Sequence, residues 1–184
     1  MEDTFTFEGH TFGYELDFEF TVEAPWERCD GHGPVSDWTT RSKHPGELVL
    51  CNDRGSKRYY DFQAAIEQAK KEGWDSWPYD KSLTKGQRAY KAVMRDFEYL
   101  QAWCENEWNY AVLKVVLLDE DEDETEYVEY LGGIESGYWI DHQARKRGEE
   151  PYYLEAAREL ASEILNSYYM DNHWKIAQNL GVAA

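Results

Sequence analysis

The chain has 184 residues, and its 37 acidic residues against 19 Lys and Arg give a formal charge of −18. Hydrophobic residues make up 42% and aromatic residues 16%, which is enough apolar surface for a core and excludes a charged disordered tail. The negative charge also excludes an ordinary DNA-binding protein, because nucleic-acid phosphates would repel it.

The first predicted element is an acidic hairpin over residues 4–23. Apolar and acidic residues alternate in "FGYELDFEFTVE", which is the period of a strand with one buried face and one solvent face. Gly9 supplies the turn from a first strand over residues 4–8. We therefore expect the acids of the second strand to lie in solvent.

Residues 25–46 lose this periodicity and are rich in Gly, Pro, Asp and Ser, which predicts a long ordered loop. We expect Trp26 and Trp38 to anchor its two ends in the core. The segments "ELVLC" and "KRYY" then flank the turn "NDRG" and predict a second hairpin.

Two helices should follow this hairpin. Asp61 is placed to cap a helix that Gly73 closes, and its apolar residues recur at helical spacing. Thr84 and Gln87 have the spacing of a capping box and predict a second helix that ends near Cys104.

An acidic hairpin is predicted over residues 110–136. The apolar run "YAVLKVVLL" is typical of a central strand, so we expect Leu113, Val115 and Leu117 to be buried, with helix residues Phe97 and Leu160 packed on them. The acids that follow form its loop, and "EYVEYLGGIES" is the return strand. A C-terminal helical segment is predicted over residues 151–180.

Together these elements predict one α+β domain over residues 1–184, an antiparallel sheet with about three helices packed on one face. No stretch has the length of a membrane span, and "MEDTFTFEGH" lacks the features of a signal peptide. Cys29, Cys51 and Cys104 are odd in number and widely spaced, which favours reduced thiols. We therefore expect a cytoplasmic protein with no membrane contact; its oligomeric state is left open.

The charge is segregated along the chain. Residues 1–25 carry a formal charge of −7 and residues 119–150 carry −9, whereas residues 26–118 are neutral. Acids on alternate strand positions lie about 6.7 Å apart, a step comparable to that between successive phosphates. Although a solvated loop without a partner is an alternative for the second block, two such blocks predict a binding surface for a basic protein. The predicted partner-binding residues are Glu15, Asp17, Glu19, Glu23, Asp119, Glu120, Asp121, Glu122, Asp123, Glu124 and Glu126.

An enzymatic function rests on weaker signals, since the sequence has no phosphate-binding glycine loop, HExxH or CxxC motif. The candidate is a metal-dependent or hydrolytic enzyme that uses the region from Cys29 to Cys51. A zinc site there would need Cys29, His32, His44 and Cys51, of which only the first pair has suitable spacing. A catalytic acid, base and nucleophile could come from Asp30 or Asp37, His32 and Cys29.

A third possible function is that of an interaction or assembly factor anchored by aromatic residues near Trp74, Trp77 and Tyr79. Neither a cofactor nor direct binding of nucleic acid is expected.

The stretch "PWERCDGHGPVSDWTTRSKHPGELVLCNDRGSKRYYDFQAAIEQAKKEGW" and the later "DFEYLQAWCENEWNYAVLKVVLLDEDEDETEYVEYLGGIES" resemble small acidic proteins encoded by tailed bacteriophages. The resemblance covers roughly residues 25–170 and carries no role for any single residue. It implies a phage origin and the cytoplasm of an infected bacterium. Small acidic phage proteins without an enzyme motif are often inhibitors of host defence, and some antirestriction and anti-CRISPR proteins imitate DNA. The predicted function is thus an acidic, nucleic-acid-mimicking inhibitor of a host protein.

Overall fold

A computed structural model describes residues 3–19, 22–28, 31–75 and 79–179, with side chains through Trp174. The chain forms two compact units. The first combines Met1–Phe20 with Trp108–Ala184, and the second is Thr21–Glu107. The prediction of one domain over residues 1–184 stays a prediction.

The predicted α+β class is confirmed. The strands are β1 (Asp3–Phe7), β2 (His10–Phe18), β3 (Glu47–Asp53), β4 (Ser56–Asp61), β5 (Asn109–Leu118) and β6 (Glu124–Ser136). The helices are α1 (Pro25–Arg28), α2 (Phe62–Glu72), α3 (Lys85–Cys104), α4 (Tyr138–Arg147) and α5 (Tyr152–Asn179). The strands form two antiparallel sheets, in the orders β1-β2-β5-β6 and β3-β4.

In the first unit β5 lies between β2 and β6, as expected for a strand with so few polar residues. Leu113, Val115 and Leu117 are buried in one cluster with Phe12 of β2 and Leu160 of α5. The predicted burial of β5 and the packing of Leu160 are therefore confirmed. The predicted packing of Phe97 on this strand is wrong, because Phe97 belongs to the core of the second unit.

The second unit packs α2 and α3 with the β3–β4 hairpin around Leu50, Tyr60, Val93 and Leu100. Its two helix starts are as predicted. The Asp61 carboxylate accepts a hydrogen bond from the Ala64 N–H at 2.9 Å, and Thr84 forms a complete capping box with Gln87. Gly73 ends α2 in the left-handed conformation that glycine favours.

Where described, the long segment between β2 and β3 is mostly irregular, as predicted, with the short α1 near its start. Val35 and Thr39 make isolated bridges to Tyr60 and Lys57 of β4. The predicted anchoring of Trp38 in the core is wrong, since its side chain is 45% exposed. The Arg58 guanidinium instead lies 5.3 Å from the ring centroids of both Trp26 and Trp38, where cation–π attraction holds the rings.

Cys51 and Cys104 form a disulfide between β3 and the end of α3, with a Cα–Cα distance of 5.5 Å. The prediction of reduced thiols is wrong for this pair. A separation of 53 residues gave no indication that the two elements pack together. Cys29 lies outside the described residues.

Helix α4 was not predicted from the sequence. Its first residue follows Gly137, no side chain caps its N-terminus, and its apolar residues form no clear stripe. A basic last turn and the left-handed Gly148 are the signals that it did carry. Across the described part of the chain, no helix is both long enough and apolar enough to span a bilayer.

Candidate functional site

The four-stranded sheet packs one face in the core of the first unit, and its other face carries acids beside Val116 and Leu118 of β5, which are buried. Phe12, Tyr14 and Leu16 pack in the core of the first unit, so Glu15 and Asp17 point to the opposite side of β2. The pairing places Glu15 opposite Lys114 and Asp17 opposite Val112. The alternation read from the sequence therefore gives the correct faces for this strand.

Strand β6 adds Glu124 to this face. The Lys114 ammonium donates hydrogen bonds of 2.8 and 3.0 Å to the Glu124 carboxylate. Tyr130 lies opposite Lys114 and is 59% exposed. Glu126 lies in a stretch of β6 where the pairing is irregular, and it lines a pocket with Ile164 and Asp171 of α5.

Glu19 belongs to this face as well, because its carboxylate lies 3.4 Å from where a Cβ on Gly132 would stand. Asp17 and Glu124 are exposed, and Glu15 and Glu19 are half-buried. The acidic face is defined by Glu15, Asp17, Glu19 and Glu124.

The remaining predicted acids are placed elsewhere. The loop of residues 119–123 turns at the end of the sheet, six residues along β5 from the partner of Asp17, which corresponds to about 20 Å. The Asp119 carboxylate accepts the N–H groups of Asp121 and Asp123, so this acid holds the turn. This separation from Asp17 exceeds a Debye length of about 8 Å, whereas Glu124 directly follows the loop, so the loop charges act mainly at the Glu124 end of the acidic face in physiological salt.

Glu23 is not part of the strand that carries Glu15 and Asp17. Strand β2 ends at Phe18, and the predicted continuation crosses residues 20–21, which lie outside the described residues. Glu23 is an exposed residue of the second unit. The predicted hairpin over residues 4–23 therefore shortens to Asp3–Phe18.

The excess negative charge is divided more unevenly between the two structural units than between the segments of the sequence. The first unit contains 22 acids and six Lys or Arg residues, a formal charge of −16. The second contains 15 acids and 13 Lys or Arg residues, a formal charge of −2. Almost all of the excess charge is thus carried by the unit that contains the acidic face.

A second constellation lies in the other unit and is centred on Asp96 of α3. Its carboxylate is 2.6 Å from His32 Nδ1, and it accepts hydrogen bonds from the Gly33 N–H at 2.8 Å and the Tyr60 hydroxyl at 2.6 Å. The Asp96 side chain is only 8% exposed. Burial, reinforced by the Asp96 carboxylate, raises the pKa of the Tyr60 phenol, so this hydroxyl stays a donor.

His32 also lines a pocket of about 490 Å³, which we call the His32 pocket. Its imidazole stacks on the Tyr99 ring, with centroids 5.7 Å apart and an interplanar angle of 11°. On the α2 side, the Glu72 carboxylate accepts hydrogen bonds from the Trp74 indole at 2.9 Å and from Gln68 at 3.3 Å. The lining residues are Trp26, Gly31, His32, Gly33, Pro34, Val35, Gln68 and Glu72.

His32 was a candidate site residue from the sequence, but its partner Asp96 was not. Asp96 is 64 residues away, so no local spacing connects the two. One signal was present: Asp96 is three residues after Val93 and four before Leu100, on the apolar stripe of α3. A charged residue on a buried helix face requires a partner.

The zinc site considered from the sequence is not assembled. Cys51 is engaged in the disulfide, His32 contacts Asp96, and Cys29 lies outside the described residues. His44 is exposed. In the described ranges no group of three or more His, Cys, Asp or Glu side chains could hold a metal ion.

The geometry gives little support to a hydrolytic site around His32 or to an aromatic interaction surface near Trp74. Asp37 is exposed and does not line the His32 pocket, whereas Asp30 lies outside the described residues. Trp74 packs against the core of the second unit, and Tyr79 is 51% exposed beneath the Arg88 guanidinium. Trp77 lies outside the described residues.

Comparisons with known proteins add no function to this geometry. No family model, curated protein or solved structure matches the chain.

Proposed function

We propose that this protein acts by binding, and that its acidic face occupies a basic, nucleic-acid-binding surface of a bacterial host protein. The supporting observation is the acidic face itself, which presents four carboxylates from the β2 and β6 segments on either side of Lys114 of β5, whose ammonium group is already paired with Glu124. Such a surface has a charge complementary to a site that normally receives phosphates.

The sheet gives these carboxylates fixed positions. The opposite side of β2 and β5 is packed into the core, so the backbone that carries Glu15 and Asp17 cannot rearrange without disrupting that packing. Preorganised acids bind a basic surface with less loss of conformational entropy than acids on a disordered tail. This distinguishes the acidic face from the loop of residues 119–123, which we assign to long-range attraction.

The setting that fits this proposal is the cytoplasm of a phage-infected bacterium, with the protein as an inhibitor of a defence or nucleic-acid-handling system. Reducing conditions there would open most disulfides. The Cys51–Cys104 bond belongs to the second unit, whereas the acidic face belongs to the first. Binding through the acidic face therefore does not require the disulfide.

The test is capture from a bacterial lysate with three immobilised forms of the chain. The first is the parent, and the second is Glu15→Gln/Asp17→Asn/Glu19→Gln. The third, Glu155→Gln/Glu159→Gln/Glu163→Gln, removes equal charge from exposed positions of α5.

We expect the parent and the α5 variant to retain the same basic proteins and the β2 variant to lose them. Retained proteins should elute as salt rises, because several charge pairs are screened together. Equal capture by all three forms would contradict a role for the acidic face.

A further inference from the structure

We propose that the His32 pocket is a binding site for a small organic cation with N–H donors, of the guanidinium or primary ammonium class. This site lies in the second unit and is independent of the acidic face. The orientation of the histidine ring is the first observation that supports it.

Asp96 fixes which nitrogen of His32 carries a proton. The Asp96 carboxylate also accepts from Gly33 and Tyr60, so it acts as an acceptor throughout and requires a proton on His32 Nδ1. In the neutral ring, Nε2 is then an acceptor. Within the described part of the chain Nε2 has no hydrogen-bond partner, and His32 lines the pocket.

The charge of the pocket selects the ligand. Glu72 is the charged carboxylate among the lining residues, and within the described ranges these include neither Lys nor Arg. An anion such as phosphate would meet this carboxylate unfavourably, whereas a cation would be attracted to it. Trp26 adds an indole ring to the wall, and this ring already receives the Arg58 guanidinium.

A purely structural role for His32 explains only part of this arrangement. Anchoring the loop to α3 accounts for the contacts of Asp96 with His32 and Gly33. It leaves unexplained why His32 borders a pocket of about 490 Å³ that has the Glu72 carboxylate on its wall, held by the Trp74 indole. A planar cation that donates to both Nε2 and Glu72 would use both groups.

The experiment is an NMR titration of the full chain with methylguanidinium chloride. We expect saturable shifts of the His32 Nε2 and Trp26 indole resonances. Tetramethylammonium, which is a cation without N–H donors, should bind at least fivefold more weakly, and inorganic phosphate should shift neither resonance. Equal effects of the two cations, or shifts with phosphate alone, would overturn the proposal.

A matched pair of variants tests the carboxylate. Glu72→Gln should weaken methylguanidinium binding about three- to fivefold, the range for a solvent-accessible ion pair. Glu67→Gln removes the same charge from an exposed position of α2 outside the pocket and should leave the dissociation constant unchanged. If both variants weaken methylguanidinium binding equally, the loss of affinity comes from the net charge of the protein, and the proposed site is wrong.

Discussion

Asp96 shows how one buried carboxylate can hold a loop that has no regular structure. It joins His32 and Gly33 of the long loop to Tyr60 of β4, and all these contacts are made from one position on α3. Hydrogen bonds to a charged acceptor are stronger than neutral ones. Asp96 therefore fixes the backbone on one side of the His32 pocket.

The first prediction concerns this carboxylate. Asp96→Asn keeps the shape but turns an amide N–H₂ toward groups that donate, so we expect a loss of about 2 kcal/mol in the free energy of unfolding. Urea denaturation measures this change in the free energy of unfolding. Asp37→Asn, at an exposed position of the same loop, should change it by less than about 0.5 kcal/mol. Equal stability of the two variants would show that Asp96 does not hold the loop.

The second prediction concerns Gly33, which has no room for a side chain. A Cβ there would stand 2.7 Å from the Ala65 Cβ and would also overlap the Tyr60 hydroxyl. We expect Gly33→Ala to lower the free energy of unfolding by about 1–3 kcal/mol. Gly86→Ala, in the first turn of α3 with nothing within 4 Å, should be neutral or stabilising. A neutral Gly33→Ala would mean that the loop can move away from Tyr60.

At the scale of elements, the sequence predicted those strands and helix ends that depend on interactions between neighbouring residues. The alternation in β2, the apolar run of β5 and the caps at Asp61 and Thr84 depend on neighbouring residues, and each identified its element correctly. The return strand β6 was predicted, but not the two irregularities in its pairing with β5. Leu131 and Ile134 lie opposite Leu113 and Ala111, so one extra residue of β6 lies between them and exchanges the faces. A period-two pattern in the sequence does not show such an insertion.

Long-range pairings were not predictable from the same signals. The β3–β4 hairpin forms its own sheet because its strands pair with each other and pack on α2 and α3. Nothing in its length or composition distinguished this from joining the larger sheet. The Cys51–Cys104 disulfide and the contact between His32 and Asp96 likewise join residues 53 and 64 positions apart.

The third prediction concerns the disulfide. Closing a loop with a sequence separation of 53 restricts the unfolded chain and should contribute about 4 kcal/mol to stability. We expect a reducing agent to lower the urea midpoint of the parent, and Cys51→Ser/Cys104→Ser to match the reduced parent whether or not reductant is present. Thiol titration of the denatured chain should give two fewer reactive groups before reduction than after. An unchanged thiol count would contradict the bond.

At the scale of the whole molecule, the main feature is the unequal charge of the two units, −16 against −2. Like charges that fold into one unit repel one another and oppose its folding. Composition predicted an acidic surface, but the assignment to one unit required the sheet that brings the N-terminal hairpin beside β5. The proposed binding surface is therefore a product of long-range topology.

The fourth prediction follows from this repulsion. Raising NaCl to about 0.5 M should raise the melting temperature of the parent, because salt screens like charges. Glu120→Gln/Asp121→Asn/Glu122→Gln/Asp123→Asn should melt higher than the parent at low salt and respond less to added salt. Asp119 is kept because its carboxylate holds the turn. An equal salt response of the parent and this variant would show that the loop charges do not affect folding.

The most direct test of the proposed function is a competition for a purified host protein captured by the parent chain. A short fluorescent DNA duplex is bound to that protein, and the chain is added while the anisotropy of the duplex is followed. We predict that the parent and the Glu155→Gln/Glu159→Gln/Glu163→Gln variant release the duplex, whereas Glu15→Gln/Asp17→Asn/Glu19→Gln requires at least tenfold higher concentration. If the chain binds while the duplex stays bound, or if all three forms release it equally, the acidic face does not occupy a nucleic-acid site.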